Sequence, residues 1–318
     1  MAPASWLAAV ALLLVTSAPA TAQVPQAFAL FAEGRYAEAT RILQPLQHDP
    51  QALYGLARIA LVQNRHEQAV NLLIRAIEAR NGNATYHFWL GVAYGGIAES
   101  ANPLRQAALA IRARNEFERA VRLDPSLVQA RFGLIDYYLL APSFLGGDEG
   151  LALRQAQELM ARDRLQGRRA FARIYTHEKK LDAAHRELVE AVREEPRSAA
   201  AHAELGSFLG MQQKNVAAGL AELETSTSLD PDYTVAWFHI GELAATSGTN
   251  LDRGEAALLK YLGHIPSDTE PGLAEAHYLL GRIYEEEGKR AAARESYAAA
   301  VRMDPTSRPF AAALRRLR

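Results

Sequence analysis

Residues 274–307 read AEAHYLLGRIYEEEGKRAAARESYAAAVRMDPTS, and the spacing within this stretch decides the fold. His277, Leu280-Gly281 and Tyr284 open it, Ala293, Tyr297 and Ala300 follow, and Asp304-Pro305 closes it. Apolar residues three and four apart in both halves predict two amphipathic helices. The small residues Gly281, Ala293 and Ala300 let two antiparallel helices approach, while large residues such as Tyr297 fill the space between them. A proline just past a helix end stops that helix and sets the turn into the next, so Pro305 reads as a stop.

The same punctuation recurs upstream. Pro125, Pro196, Pro231, Pro266 and Pro305 are separated by 71, 35, 35 and 39 residues, and four of them follow an acidic residue. Leu205-Gly206 and Ile240-Gly241 open the units that end near Pro231 and Pro266, and Leu90-Gly91 with Tyr94 opens one that ends at Pro125. This order resembles the tetratricopeptide repeat (TPR), a helix-turn-helix unit of about 34 residues. The resemblance covers 23–307 in about eight units: 23–49 (degenerate), 50–83, 84–127 (extended), 128–164, 165–198, 199–233, 234–267 and 274–307. Residues 308–318 read as a helix that covers the last unit, as a terminal repeat requires. The expected fold is therefore all-α, a TPR-type solenoid of helical hairpins. The resemblance implies a right-handed superhelix with a concave groove.

Composition narrows the function. Apolar residues make up 49% of the 318-residue chain and charged residues 22%, enough for burial throughout. Lys and Arg (35) nearly balance Asp and Glu (36), so no net field attracts a polyanion and nucleic acid is not an expected partner. The absence of cysteine excludes disulfides, thiolate metal sites and a cysteine nucleophile. Trp6 to Val15 form an apolar run followed by Ala20-Thr21-Ala22, the small-x-small pattern of a signal peptide cleaved after Ala22, although no Lys or Arg precedes the run. The run is too short to span a bilayer. A periplasmic or secreted protein without a transmembrane segment is expected.

The unit at 84–127 carries ten extra residues between Tyr94 and Phe117. Asn102-Pro103 reads as an N-cap followed by proline at the first helical position, predicting a second helix over 103–122 and a hairpin, 95–116, that projects beyond its neighbours. Beside it lies the joint 141–147, in which Phe144 and Leu145 form a candidate docking loop or merely cover the hairpin. Gly146-Gly147-Asp148-Glu149 matches four letters of the diguanylate-cyclase signature, but Gly150 breaks it and the string lies between two helices. His66-Glu67 and His177-Glu178 lack the second histidine of a zinc-protease helix. His87, His202 and His277 fall on the repeat position commonly held by tryptophan and read as packing residues. No nucleophile, base and oxyanion hole assemble, so the chain is read as non-enzymatic, needing no cofactor or metal.

In the family, the fifth and ninth positions of each first helix point into the groove. The fifth holds Tyr54, Phe88, Phe132, Arg169, Ala203, Phe238 and Tyr278; the ninth holds Arg58, Val92, Asp136, Arg173, Ser207, Glu242 and Arg282. Aromatic area beside forked donors suits a peptide or a glycan, and the row is read either as a binding surface or as repeat scaffold. Arg169, Arg173 and His177 form a candidate cationic patch for an anionic contact. The resulting expectation is an exported scaffold that binds a protein segment through the groove or the extended hairpin. The alternative is a carbohydrate-binding envelope component that assists polysaccharide export.

Overall fold

The computed structural model describes residues 20–264, 266 and 270–317. Residues 1–19, which carry most of the expected signal peptide, lie outside the described residues; the expected cleavage point after Ala22 falls in the first turn of α1 (Ala20–Ala32).

Seventeen α-helices and no strand are present among the described residues. After α1 come α2 (Tyr36–Leu43), α3 (Pro50–Val62), α4 (His66–Ala79), α5 (Ala84–Ser100), α6 (Pro103–Leu123), α7 (Val128–Leu140), α8 (Glu149–Met160) and α9 (Arg164–His177). There follow α10 (Leu181–Glu194), α11 (Ala199–Met211), α12 (Val216–Leu229), α13 (Thr234–Ser247), α14 (Leu251–Leu262), α15 (Leu273–Glu286), α16 (Arg290–Met303) and α17 (Arg308–Arg316). Each odd-numbered helix from α1 to α15 pairs with the helix after it, and each pair stacks on the next.

The packing follows from small residues set against large ones. A Cβ built on Gly281 would lie 2.6 Å from the Tyr297 ring, so only glycine lets α15 and α16 approach this closely. Tyr297, Tyr261, Leu223 and Leu258 are fully buried at such seams, each contributing about 1.5–3 kcal/mol by removal from water. The stack ends on α17, where Phe310, Ala313 and Leu317 turn inward and Arg315 and Arg316 stay in its polar last turn.

A second donor pattern ties each first helix to the loop before it. Trp237 Nε1 donates to the Pro231 carbonyl at 3.0 Å, and Arg131 Nε to that of Pro125 at 3.0 Å, in both cases six residues upstream. At the same position His87 and His202 place Nε2 at 3.3 and 3.2 Å from the carbonyls of Asn81 and Pro196, and their Nδ1 atoms at 2.6 Å from Glu116 and Glu222. These two histidines thus have partners at both ring nitrogens. Burial lowers the pKa of His277 at the corresponding position. No cluster of metal-ligating side chains occurs among the described residues, and no helix among them is long and apolar enough to cross a membrane.

The stack curves until its last unit meets its first two. Asn64 Nδ2 donates to Thr306 Oγ1 at 2.6 Å across 242 residues, and the Met303 side chain lies beside Gly34.

The pair α9–α10 carries a charge lock. Arg168 donates to Glu194 at 2.8 Å and Arg164 to the same carboxylate at 3.1 Å, and these bonds, Arg168 first, hold its pKa down at about 2. A depressed carboxyl pKa stabilises the fold above the unfolded value and loses that contribution as pH falls through the folded one. The midpoint of thermal unfolding is therefore expected to drop between about pH 4.5 and 2, and Glu194→Gln should flatten this part of the profile. An unchanged profile in the variant would contradict the assignment.

Candidate functional site

The two longest helices of the stack form the pair α5–α6, 17 and 21 residues. Asn83 opens α5 by accepting the Thr85 N–H at 2.9 Å, and Asn102 opens α6 by accepting that of Arg105 at 3.0 Å, with Pro103 in the first turn, where no intrahelical donor is needed. The extra turns carry Glu99 and Leu104 to the tip of this hairpin.

The joint after α7 is equally defined. Ala141-Pro142 ends the helix, Ser143–Leu145 form a single 3-10 turn, and Gly146 adopts φ +93°, which favours glycine. Gly147 N–H then donates to the Pro142 carbonyl at 3.1 Å, Asp148 N–H to that of Tyr138 at 3.0 Å, and the Tyr137 hydroxyl to that of Leu145. Asp148 caps α8.

Between these features α5 and α7 meet only briefly, whereas α13 and α15, the same pair later in the chain, run along one another. The gap is a cleft of about 1600 Å³. Phe88 and Val92 of α5 face Phe132 and Leu140 of α7 across it, and Ala107, Ala110 and Ala113 of α6 supply a floor of small side chains. Leu104 and Phe144 stand at its mouth. Leu104, Phe144 and Leu140 are 85%, 84% and 72% exposed, the three most exposed large apolar side chains among the described residues, and all three line this one cleft.

The structure sorts the predicted site residues. Phe88, Phe132, Asp136 and Arg169 line the cleft, as do Phe144 and Leu145. Tyr54, Arg58 and Phe238 do not face an open groove, a correction to the row read from the repeat positions: all three are buried. Phe28 of α1 packs on Tyr54 at 5.8 Å between ring centroids. The Arg58 guanidinium lies 3.8 Å over the Trp89 ring and 3.1 Å from the Tyr54 hydroxyl, to which it donates. Phe238 packs edge-on against Tyr261 at 5.3 Å. Tyr278 is half-buried beneath Phe310 of α17, 4.9 Å away. Glu242 pairs with His239 at 3.0 Å, and Arg282 is half-buried outside the cleft.

The cationic patch is likewise corrected. Arg173 makes a two-pronged pair with Asp136 at 2.6 and 2.7 Å, and Arg169 pairs with Glu204 at 2.6 Å, so both charges are neutralised within the protein. His177 is exposed and lies outside the cleft lining. The repeat count missed Leu104, Leu140 and the alanine floor, although Ala107, Ala110 and Ala113 are spaced three apart, which places them on one helical face.

Tetratricopeptide-repeat family models match residues 30–87 and 274–307. Human IFIT1, in a structure with PPP-AAAA, is 18% identical and superposes with a TM-score of 0.51, over 92% of this chain and 71% of its own. A tetratricopeptide repeat protein from Parabacteroides merdae is 14% identical, with a TM-score of 0.48, over 83% of this chain and 98% of its own. No curated protein matches the sequence. The chain thus carries tetratricopeptide repeats at both ends of a continuous stack of helical hairpins, which in general terms makes it a scaffold for protein interaction.

Proposed function

We propose that this protein is an exported, non-enzymatic scaffold that holds an apolar segment of a partner protein in the cleft between α5 and α7. The observation that carries the reading is the convergence of the three most exposed large apolar side chains, Leu104, Leu140 and Phe144, on one cleft of about 1600 Å³. Scattered exposed apolar residues are ordinary, but a contiguous patch marks a binding surface. The volume exceeds the usual range for small ligands, about 300–1,000 Å³, and suits a peptide segment. The apolar run at Trp6 to Val15 with Ala20-Thr21-Ala22 supports export.

Sugar stacking has less support, because burial of Tyr54 and Phe238 breaks the aromatic row and leaves Phe88 and Phe132 as the predicted fifth-position aromatics in the cleft. The PPP-AAAA ligand of IFIT1 finds no counterpart in charge: the formal net charge here is −1, and Arg169 and Arg173 are already paired.

The test is an immobilised panel of synthetic apolar peptides, with Leu140→Asp/Phe144→Asp as the control. Both side chains are largely exposed, so the fold should survive. Affinity of the selected peptides is expected to fall at least about tenfold, each factor of ten being about 1.4 kcal/mol; undiminished binding would overturn the cleft assignment. Recovery of the mature chain outside the cytoplasm beginning at Gln23 would support export, and retention of residues 1–22 on a cytoplasmic product would overturn it.

A further inference from the structure

We infer that the segment held in the cleft carries a basic residue beside its apolar core, placed to meet Glu99 at the hairpin tip. This rests on the cleft reading above and adds the chemistry of the occupant. Three charged side chains line the cleft: Glu99, Asp136 and Arg169. Asp136 is held by Arg173 and Arg169 by Glu204, at distances of 2.6–2.7 Å. Glu99 is exposed and has no ion pair or side-chain hydrogen bond among the described residues.

Its position strengthens the asymmetry. Glu99 sits in the last turn of α5, where unpaired carbonyls concentrate the negative end of the helix dipole. The opposite end of the same helix is its N-terminus, near Thr85, and Arg169 lies over the Phe132 ring of α7, already paired with Glu204. The tip end also carries Leu104, and an apolar occupant covering Leu104 strips water from the carboxylate beside it. A desolvated charge without a partner opposes binding, whereas an opposite charge on the occupant restores what the water supplied. A like charge there adds repulsion, which turns the site into a selector.

The experiment uses one apolar decamer core with Lys-Lys or Glu-Glu appended to either end, titrated against the full mature chain. For one of the two placements the lysine peptide is expected to bind roughly tenfold tighter than its glutamate counterpart, with the preference shrinking as salt is added. Glu99→Gln should erase the preference, and Glu99→Lys should invert it. Equal affinity for lysine and glutamate peptides, or a preference that survives Glu99→Lys, overturns this inference; if binding is still lost in Leu140→Asp/Phe144→Asp, the cleft reading stands. If no peptide binds the wild type at all, the cleft reading falls and the inference with it.

Discussion

Phe117→Ala is expected to destabilise the chain by about 3–5 kcal/mol, the range for truncating a large buried aromatic side chain, and to uncouple the first three helix pairs from the rest. Phe117 rises from α6 into the seam between α5 and α7. A Cβ on Gly91 of α5 would lie 2.6 Å from its ring, and one on Gly133 of α7 would lie 3.1 Å from it. Phe88 packs on the same ring at 5.9 Å between centroids. One side chain thus fills a space bounded by two glycines on different repeats. Stacked repeats draw their stability from nearest-neighbour interfaces, and α5 and α7 add little direct contact to this one, so it leans on the side chain that α6 contributes. Guanidinium denaturation followed by circular dichroism should therefore change from one transition to two. A single transition shifted by less than about 1 kcal/mol would show that the seam is not held in this way.

Gly147→Ala should act on stability and binding together. The new Cβ would lie 1.7 Å from the Ala141 carbonyl oxygen. That atom belongs to the backbone and cannot swing aside as a side-chain tip does. The joint would have to open, placing at risk the bonds from Asp148 N–H to Tyr138 and from the Tyr137 hydroxyl to Leu145 that hold Phe144 and Leu145 at the cleft. A loss of about 3 kcal/mol is expected, at the upper end for overpacking, together with loss of peptide binding. Gly95 is the matched control: it also lines the cleft and lies inside α5, but a Cβ there meets nothing within 4 Å. Gly95→Ala should leave the fold intact or stabilise it by about 0.5–1 kcal/mol, since alanine favours the helix. Equal behaviour of the two variants would contradict the packing account.

These two glycines mark the limit of what the sequence discloses. Gly281 and Tyr297 announce their contact through repeat spacing alone, because a hairpin of fixed length brings them face to face. Asn102-Pro103 likewise places the start of α6 at Pro103, and the expected helix over 103–122 differs from the observed Pro103–Leu123 by one residue. The groove was less legible. Counting fifth and ninth positions assigns a direction within one helix, but exposure depends on how far the next first helix stands away and on what lies over the end of the stack. α1 covers Tyr54, α17 covers Tyr278, and Phe238 turns onto Tyr261 of its own pair. The row opens where α5 and α7 meet only briefly, and how far two first helices stand apart is a tertiary property to which local spacing is blind. The ion pairs of Arg169 and Arg173 are hidden for the same reason: Glu204 and Asp136 lie 35 and 37 residues away, on adjacent units.

The cleft between α5 and α7 is proposed as the surface this scaffold offers to a partner. Hydrogen–deuterium exchange with and without a peptide selected on the immobilised panel tests it most directly, because protection is read along the whole described chain. New protection is expected to be confined to α5, α7, the first turns of α6 and the joint at 141–147. Protection centred instead on α11 to α15, or none at saturating peptide, would contradict it.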